Sequence, residues 1–365
     1  MSTNTPGWKE SPEAIAAVDS LFASVGLEHG RRATRAGTWA AGERIRQRRT
    51  SKSINPAVST KKPRIAPGLI RPAGWDAYPW LRAGFSTREG GATTAFGYPG
   101  DLNLGWNVND PAETVAANRK RFLQAAAGPT PGQLIAARQF HSPLIRVIGP
   151  EGGIPANAPL ATPEGRPVLR GDALITNRRD VLLAILTADC VPVLVADTRR
   201  RVVAAFHAGW RGTLARIVER GIGTMRLQFG SRPKDLIAAI GPGIGGCCYS
   251  VGEEIRFDFE SQFAYAPSLF SEVYDADPVK DKYPLLFLTA RAPGHSNIGP
   301  QIHLDLIEAN RRQLLDAGLG ASKISIVGEC TACTRLSNGQ RRYFSHRDEH
   351  GYTGRMLSVI GVSDQ

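Results

Sequence analysis

The chain has 365 residues and a formal net charge of +12, with 42% hydrophobic and 21% charged residues. This composition excludes a wholly disordered or collagen-like chain, and the length fits one large domain or two of about 100–200 residues each. No apolar run approaches the roughly 18 residues of a transmembrane helix, the N-terminus lacks the features of a secretory signal, and five cysteines do not indicate a disulfide framework. We therefore expect a cytoplasmic protein without a membrane partner.

The first 67 residues predict a basic, flexible extension. Residues 1–65 contain twelve basic and five acidic residues, a net charge of +7, which leaves +5 for the remaining 300 residues. A short helix is predicted over 11–26, and the polar segment 41–65 is typical of a linker. Because no aromatic residues lie among the bases of 41–65, we favour a solvated tail over a nucleic-acid-binding arm. Steep salt-dependent binding that disappears on deletion of residues 1–65 would indicate the arm instead.

Residues 68–365 predict a single α+β domain with mixed β-sheets. Continuous apolar runs, typical of strands covered on both faces, predict strands at 80–85, 134–137, 144–148, 173–176, 181–186, 191–196, 202–206, 236–240 and 324–327. Helical spacing predicts helices at 111–127, 211–229 and 302–317, the first with Asp110 as N-cap and Pro111 at its first position. Strands outnumber helices without strict alternation, which argues against a Rossmann or TIM arrangement. The stretches 150–169 and 275–300 predict surface excursions.

Three candidate metal ligands stand at the ends of predicted strands. His141 ends LIAARQFH, Cys190 ends LLAILTADC and His207 ends VVAAFH. Two imidazoles and one thiolate are a typical zinc ligand set, and three protein ligands leave a fourth position open, as in catalytic sites. Because no local motif links the three, two alternatives stay open. In the first alternative, Cys190 is a small buried hydrophobic residue. In the second, Cys190 is a nucleophile that His207 activates as a base.

Arginines in glycine-flanked turns indicate anion binding. Arg211 lies in HAGWRGT at the start of a predicted helix, where free amides and the helix dipole favour a phosphate or carboxylate. Arg88 lies in FSTREGG, and Arg347 lies in FSHRDEHGYTGR. The glycine-rich IGPGIGGCCYS matches neither a dinucleotide-binding nor a Walker A motif, so it does not predict a nucleotide cofactor.

The other four cysteines form two short pairs. Cys330 and Cys333 are a lone C-x-x-C without an evident second pair to complete a structural zinc site. Cys247 and Cys248 are adjacent, so we expect at most one of them to face a shared site. We interpret all four as structural or incidental.

The motifs, taken together and in order, resemble one family. They are FSTREGG, LNLGWNVND, NRKRF, RQFH, GDALIT, LTADCVPVLVAD, AAFHAGWRGT, IGPGIGGCCYSVG and FSHRDEHGYTGR, and the resemblance spans roughly residues 68–362. They are similar to the YfiH-type proteins, long labelled polyphenol oxidases or laccases and now described as purine nucleoside phosphorylases. The resemblance implies a single-domain α/β/β/α sandwich and a metal held by His141, Cys190 and His207. It implies Zn²⁺, with Cu²⁺ as the alternative.

The activity that the resemblance implies is phosphorolysis of adenosine, inosine and S-methyl-5′-thioadenosine, together with hydrolytic deamination of adenosine. Purine nucleosides and phosphate are the expected partners. The metal ligands His141, Cys190 and His207 are then catalytic, and we expect Arg88, Arg211 and Arg347 to bind phosphate or substrate oxygens. Asp189 has two interpretations: a proton carrier or orienter of a metal ligand, or a structural carboxylate that caps a turn.

Two other activities compete with phosphorolysis. A copper-loaded polyphenol oxidase of the multicopper type needs several copper centres, whereas seven histidines without any H-x-H pair supply one mononuclear site. The resemblance also allows a peptidoglycan-precursor amidase in which Cys190 acts as nucleophile or metal ligand. Metal analysis and alkylation of Cys190 would distinguish a bound ligand from a free nucleophile.

Overall fold

The computed structural model describes residues 66–106, 109–149, 167, 169–179, 181–273 and 301–363, to which every structural statement below refers. The basic extension through residue 65, the predicted helix at 11–26, and most or all of the excursions at 150–169 and 275–300 lie outside these residues. The domain boundary at residue 67 therefore stays a prediction. Within the described ranges no helix has the length and apolar character needed to cross a bilayer.

Fourteen strands and five α-helices form the described part of the chain. The strands are β1 (Leu69–Ile70), β2 (Leu81–Ser86), β3 (Gln133–Ala136), β4 (Ile145–Ile148), β5 (Ala173–Thr176), β6 (Val181–Thr187), β7 (Val191–Asp197), β8 (Val203–Ala208), β9 (Leu236–Ile240), β10 (Ser250–Val251), β11 (Phe270–Val273), β12 (Gln301–Leu304), β13 (Ile324–Ile326) and β14 (Met356–Val362). The helices are α1 (Ala112–Ala127), α2 (Trp210–Leu214), α3 (Ile217–Phe229), α4 (Glu253–Gln262) and α5 (Leu306–Asp316).

The strands form two mixed sheets and a small antiparallel one. The five-stranded sheet has the order β1-β2-β14-β6-β3, and the six-stranded sheet has the order β13-β9-β7-β8-β5-β4. Parallel pairs occur at β3–β6, β4–β5 and β9–β13, and the other pairs in these two sheets are antiparallel. The small sheet, β10-β12-β11, is antiparallel throughout.

The core follows from the two-residue period of the central strands. In β6, Leu183 and Ile185 point into the layer between the two large sheets, where they share a buried cluster with Leu194 and Ala196 of β7. The alternate residues of β6 pack against α1 through Phe122. Successive side chains of a strand face opposite sides of its sheet, so both faces of these strands are buried.

The second helical layer covers the outer face of the six-stranded sheet. Val193 and Val195 of β7 face a buried cluster that includes Ile222 of α3 and Leu314 of α5. The order of layers is therefore helix, sheet, sheet, helix. This confirms the predicted α/β/β/α sandwich with mixed sheets.

The predicted strands are all present within two residues of their bounds, whereas each predicted helix of the body needs a correction. Pro111, and not Asp110, occupies the N-cap of α1. The helix predicted at 211–229 is two helices, α2 and α3, because Arg216 adopts a left-handed conformation with φ 59°. The segment 302–317 begins as strand β12, and α5 starts only after Asp305, whose carboxylate accepts a hydrogen bond from the Glu308 amide.

Candidate functional site

The strand register of the six-stranded sheet brings the predicted ligands together. Pro192 of β7 pairs with His207 of β8, so Cys190, just before β7, lies opposite Gly209. On the other side of β8, the His207 amide donates to the Asp172 carbonyl at 2.7 Å. His207 thus sits between Cys190 and Asp172 in the sheet.

Asp172 also fixes the loop that carries His141. Its carboxylate accepts hydrogen bonds from the amides of His141 and Ser142, each at 2.9 Å, and from the Ser142 hydroxyl at 2.8 Å. His141 has a positive φ of 63°, a conformation that costs energy in a residue with a Cβ. The buried carboxylate holds this strained turn in place.

The three ligand atoms of His141, Cys190 and His207 lie within 4.8 Å of one another. His207 Nδ1 is 2.8 Å from Asp172 Oδ1, so its Nε2 is the nitrogen available to a metal. The two imidazole rings lie 5.0 Å apart between centroids. Gly209 permits this approach, because a Cβ there would stand 2.9 Å from the Cys190 sulfur and 3.1 Å from His141 Cδ2.

Charge coupling shifts the pKa values of this group. Burial would raise the pKa of Cys190, but His207 and His141 outweigh it and lower that pKa to about 6. Burial would lower the pKa of His207, but the Cys190 thiolate and Asp172 raise it to about 9. For Asp172, hydrogen bonds from His207 and Ser142 overcome burial and lower the pKa to about 2.

These observations fit a metal centre. A thiolate and two imidazoles match the nitrogen and sulfur donors that zinc and copper prefer. The His207 ring is oriented by a carboxylate, as metal-binding histidines usually are. The group lies in a cleft, which leaves space for a further ligand.

The cleft has a volume of about 920 Å³ and is strongly cationic. Its lining includes four arginines, Arg138, Arg211, Arg347 and Arg355, and one acid, Asp189. Within the described residues none of the four arginines forms an ion pair with a carboxylate. Arg355 donates instead to the carbonyls of Thr353 and Gly354.

Two of the three predicted phosphate-binding arginines line this cleft. Arg211 lies over the Trp210 ring at 4.3 Å from its centroid. Helix α2 has only five residues and therefore no substantial helix dipole. We expect Arg211 to attract an anion through its own charge. Arg347 donates from Nη1 to the carbonyl and hydroxyl of Ser250 at 2.8 and 2.9 Å.

Arg88 does not line the cleft. Its buried guanidinium donates to both carboxylate oxygens of Asp101 at 2.8 Å and to Glu349 at 2.7 Å, and also to the Phe96 carbonyl. Its donors already serve the buried carboxylate of Asp101 and the partly buried carboxylate of Glu349, so these contacts do not favour the predicted phosphate-binding role of Arg88.

Asp189 lines the cleft, but both of its carboxylate oxygens are engaged. Oδ1 accepts a hydrogen bond from the Thr331 hydroxyl and Oδ2 accepts one from the Arg347 amide, both at 2.7 Å. Its own φ is 89°. These contacts match the structural alternative, a carboxylate that fixes turns, better than a proton carrier.

Asp172, Arg138 and Arg355 were not among the site residues predicted from the sequence. Asp172 lies in the quoted motif GDALIT, and its position just before a buried strand was a usable signal. Arg355 ends the quoted motif FSHRDEHGYTGR, but nothing in the local pattern distinguishes it from Arg347. Arg138 is an exposed residue that begins the quoted motif RQFH, three positions before His141, but its exposure to the cleft could not be read from that motif.

The fold and the site define the class of protein. Residues 82–363 match the family model described as "Multi-copper polyphenol oxidoreductase laccase". The chain therefore belongs to this family, the YfiH-type proteins that its motifs resemble.

Named relatives are similar over most of the chain. One is purine nucleoside phosphorylase YlmD of Geobacillus stearothermophilus, 32% identical over 80% of this chain and 97% of the relative. Another is a purine nucleoside phosphorylase of Deinococcus radiodurans, 36% identical over 76% of this chain and 88% of the relative. The solved structure of Bacillus licheniformis hypothetical protein YfiH aligns with a TM-score of 0.65 at 29% identity, covering 82% of this chain and 97% of that one.

Proposed function

We propose that this protein is a metal-dependent purine nucleoside phosphorylase. It would cleave adenosine, inosine and S-methyl-5′-thioadenosine with phosphate, releasing the base and ribose 1-phosphate or its methylthio form. The observation that carries the proposal is the cleft, in which four arginines without a described acid partner surround the His–Cys–His group. Two relatives named as purine nucleoside phosphorylases support phosphate as the anion.

His141, Cys190 and His207 would hold the metal, which we propose is zinc, with copper as the alternative. When bound, such an ion supplies a Lewis acid that polarises substrate oxygens and lowers the pKa of water. Asp172 orients the His207 ring and anchors the His141 turn, so it acts as a positioning residue.

The arginines position the anionic nucleophile. Arg355 is half-buried, and two backbone carbonyls hold its guanidinium in place. A guanidinium already held in place does not reorganise when phosphate binds. It would orient the phosphate toward C1′ of the ribose and offset the charge that develops in the transition state. Arg211 and Arg347 add positive charge from other parts of the cleft.

Aromatic walls suit the purine base. Trp106, Trp210 and Tyr249 line the cleft beside the arginines. Their faces offer stacking surfaces to a flat heterocycle, and stacking contributes about 1–3 kcal/mol per base. A nucleoside would then place its base among these rings and its ribose between the base and the bound phosphate.

Hydrolytic deamination of adenosine is the second activity that we propose for this cleft. It uses water in place of phosphate as the nucleophile and attacks the purine at C6. The donor set of His141, Cys190 and His207 supports it, because zinc held by such ligands activates water.

A nucleoside panel tests the proposal. Metal-analysed, zinc-replete protein is incubated with each nucleoside, with and without phosphate, and the products are separated by chromatography. We expect base release that requires phosphate, and inosine formed from adenosine without it. A zinc-replete protein that is inert on every purine nucleoside, yet oxidises phenols once copper is added, would overturn the proposal in favour of the oxidase.

The phosphate site has its own test in Arg355→Met, which keeps the aliphatic stem packed against Gly105. A hydrogen bond to a charged group contributes about 1.5–3 kcal/mol, so we expect the KM for phosphate to rise about 10-fold or more. The KM for the nucleoside should change little. The exposed Arg226→Met serves as control, and an unchanged phosphate KM in Arg355→Met would remove this residue from the site.

A further inference from the structure

A second group of metal-ligand side chains lies outside the His–Cys–His site. It consists of Cys247, Cys248, Cys330 and Cys333, whose four sulfur atoms lie within 4.8 Å of one another. The sequence predicted that at most one of Cys247 and Cys248 faces a shared site and that the C-x-x-C has no second pair. Both expectations are wrong, because the glycine-rich loop turns the adjacent pair toward the C-x-x-C loop.

The spacing of the sulfurs matches a mononuclear site. A tetrahedral zinc ion with Zn–S bonds of about 2.3 Å holds its four sulfurs about 3.8 Å apart. The Cys247 and Cys333 sulfurs are 3.6 Å apart, close to that edge length. An iron–sulfur cluster places several inorganic atoms between its thiolates and would need a wider arrangement.

Backbone groups favour a thiolate at the buried member of the group. The Gly245 amide donates to the Cys330 sulfur at 3.2 Å, and the amides of Ala332 and Cys333 interact with the same sulfur. Gly245 allows this contact, since a Cβ there would stand 3.3 Å from Cys330 Cβ and 3.2 Å from the Cys247 sulfur. Amides directed at a sulfur stabilise its anionic, metal-binding form.

We propose that Cys247, Cys248, Cys330 and Cys333 bind one zinc-class divalent cation as a tetrathiolate site. Four protein ligands complete the tetrahedral coordination of the ion. Such a site is structural, because no coordination position remains open for substrate. On binding, the thiols release their protons to solvent and four sulfur–metal bonds form. This site is separate from the proposed function and does not depend on it.

The position of the group suggests what the ion would hold together. The Thr331 amide donates to the Gly243 carbonyl at 3.0 Å, and its hydroxyl donates to Asp189, the neighbour of Cys190. Tyr249, next to Cys248, lines the catalytic cleft. The ion would therefore fasten together two loops that form one wall of that cleft.

The test uses Cys190→Ser, which leaves only the four cysteines of this group. We expect the zinc-replete variant to contain one metal ion per chain. Its four thiols should resist a thiol reagent until a chelator removes the metal, after which all four react. Replacing zinc with Co²⁺ should give the intense sulfur-to-cobalt charge-transfer absorption of a tetrathiolate.

A matched pair in this background localises the ion. Cys190→Ser with Cys333→Ser should lose the metal, whereas Cys190→Ser with the exposed Ser337→Ala should keep it. The proposal would be overturned if Cys190→Ser contained no metal, or if all four thiols of its zinc-replete form reacted at once. It would also be overturned if the mass of the chain were two hydrogens below the mass of the fully reduced chain, because that difference indicates a disulfide. Failure of the nucleoside assay would affect none of these readouts.

Discussion

At the scale of single residues, Asp172 organises the candidate active site. One buried carboxylate orients the His207 ring, anchors the His141 turn through two amides and accepts the Ser142 hydroxyl. The sequence predicted the three metal ligands but not this carboxylate. Residue type and position at strand ends made the three ligands candidates, and the family resemblance selected them. The sequence places Asp172 just before a buried strand, but only the β5–β8 register shows that it lies beside His207.

Replacement of Asp172 tests its positioning role. Asp172→Asn keeps the side-chain volume but removes the charge that fixes the His207 tautomer. Carboxylates of this kind affect metal affinity by about 10–100-fold, so we expect a loss of that size in zinc affinity, measured by competition with a chromophoric chelator. The exposed Asp316→Asn should bind zinc as the wild type does, and equal affinities in both variants would contradict the role.

Gly209 is predicted to be required for ligand approach. In Gly209→Ala the new Cβ would stand 2.9 Å from the Cys190 sulfur, so the ligands must separate. We expect reduced zinc affinity and reduced base release, measured by metal analysis and nucleoside assay. Gly212→Ala is the control because its nearest contact is an ordinary 3.4 Å. If both variants retain full metal, the close approach has no functional consequence.

At the scale of elements, apolar runs predicted strands better than helical spacing predicted helices. A buried run such as 191–196 has few alternatives to a strand. The helix at 211–229 was predicted as one because its spacing continues through Arg216, and only packing shows the left-handed break there. Strand β14, central in the five-stranded sheet, was not predicted, although MLSVIGV is mostly apolar; its serine and glycine interrupt the apolar run.

Gly221 and Gly223 of α3 allow the effect of packing on stability to be measured separately from the effect of helix propensity. A Cβ at Gly221 would stand 2.0 Å from the Phe206 ring, whereas one at Gly223 would meet nothing within 4 Å. We expect Gly221→Ala to lower the free energy of unfolding by about 1–3 kcal/mol through overpacking. Gly223→Ala should raise it by about 0.5–1 kcal/mol. Denaturant unfolding measures both, and changes of the same sign would show that α3 does not pack on β8 as described.

At the scale of the whole molecule, the layered sandwich could be anticipated only through the family resemblance. Local patterns gave mixed sheets, but nothing in them states which sheet packs on which, because layer order depends on contacts between distant segments. The cationic cleft has the same origin. Arg138, Arg211 and the pair Arg347 and Arg355 come from three separate segments of the chain, and the net charge of +12 did not predict their convergence.

We propose that the cleft around His141, Cys190 and His207 cleaves nucleosides with phosphate. The most direct test measures hypoxanthine and ribose 1-phosphate formed from inosine by zinc-replete wild type and by Cys190→Ser. We predict equal amounts of the two products from the wild type, none without phosphate, and almost none from the variant at any phosphate concentration. Product formation that does not depend on phosphate, or that continues at the wild-type rate in Cys190→Ser, would contradict the claim.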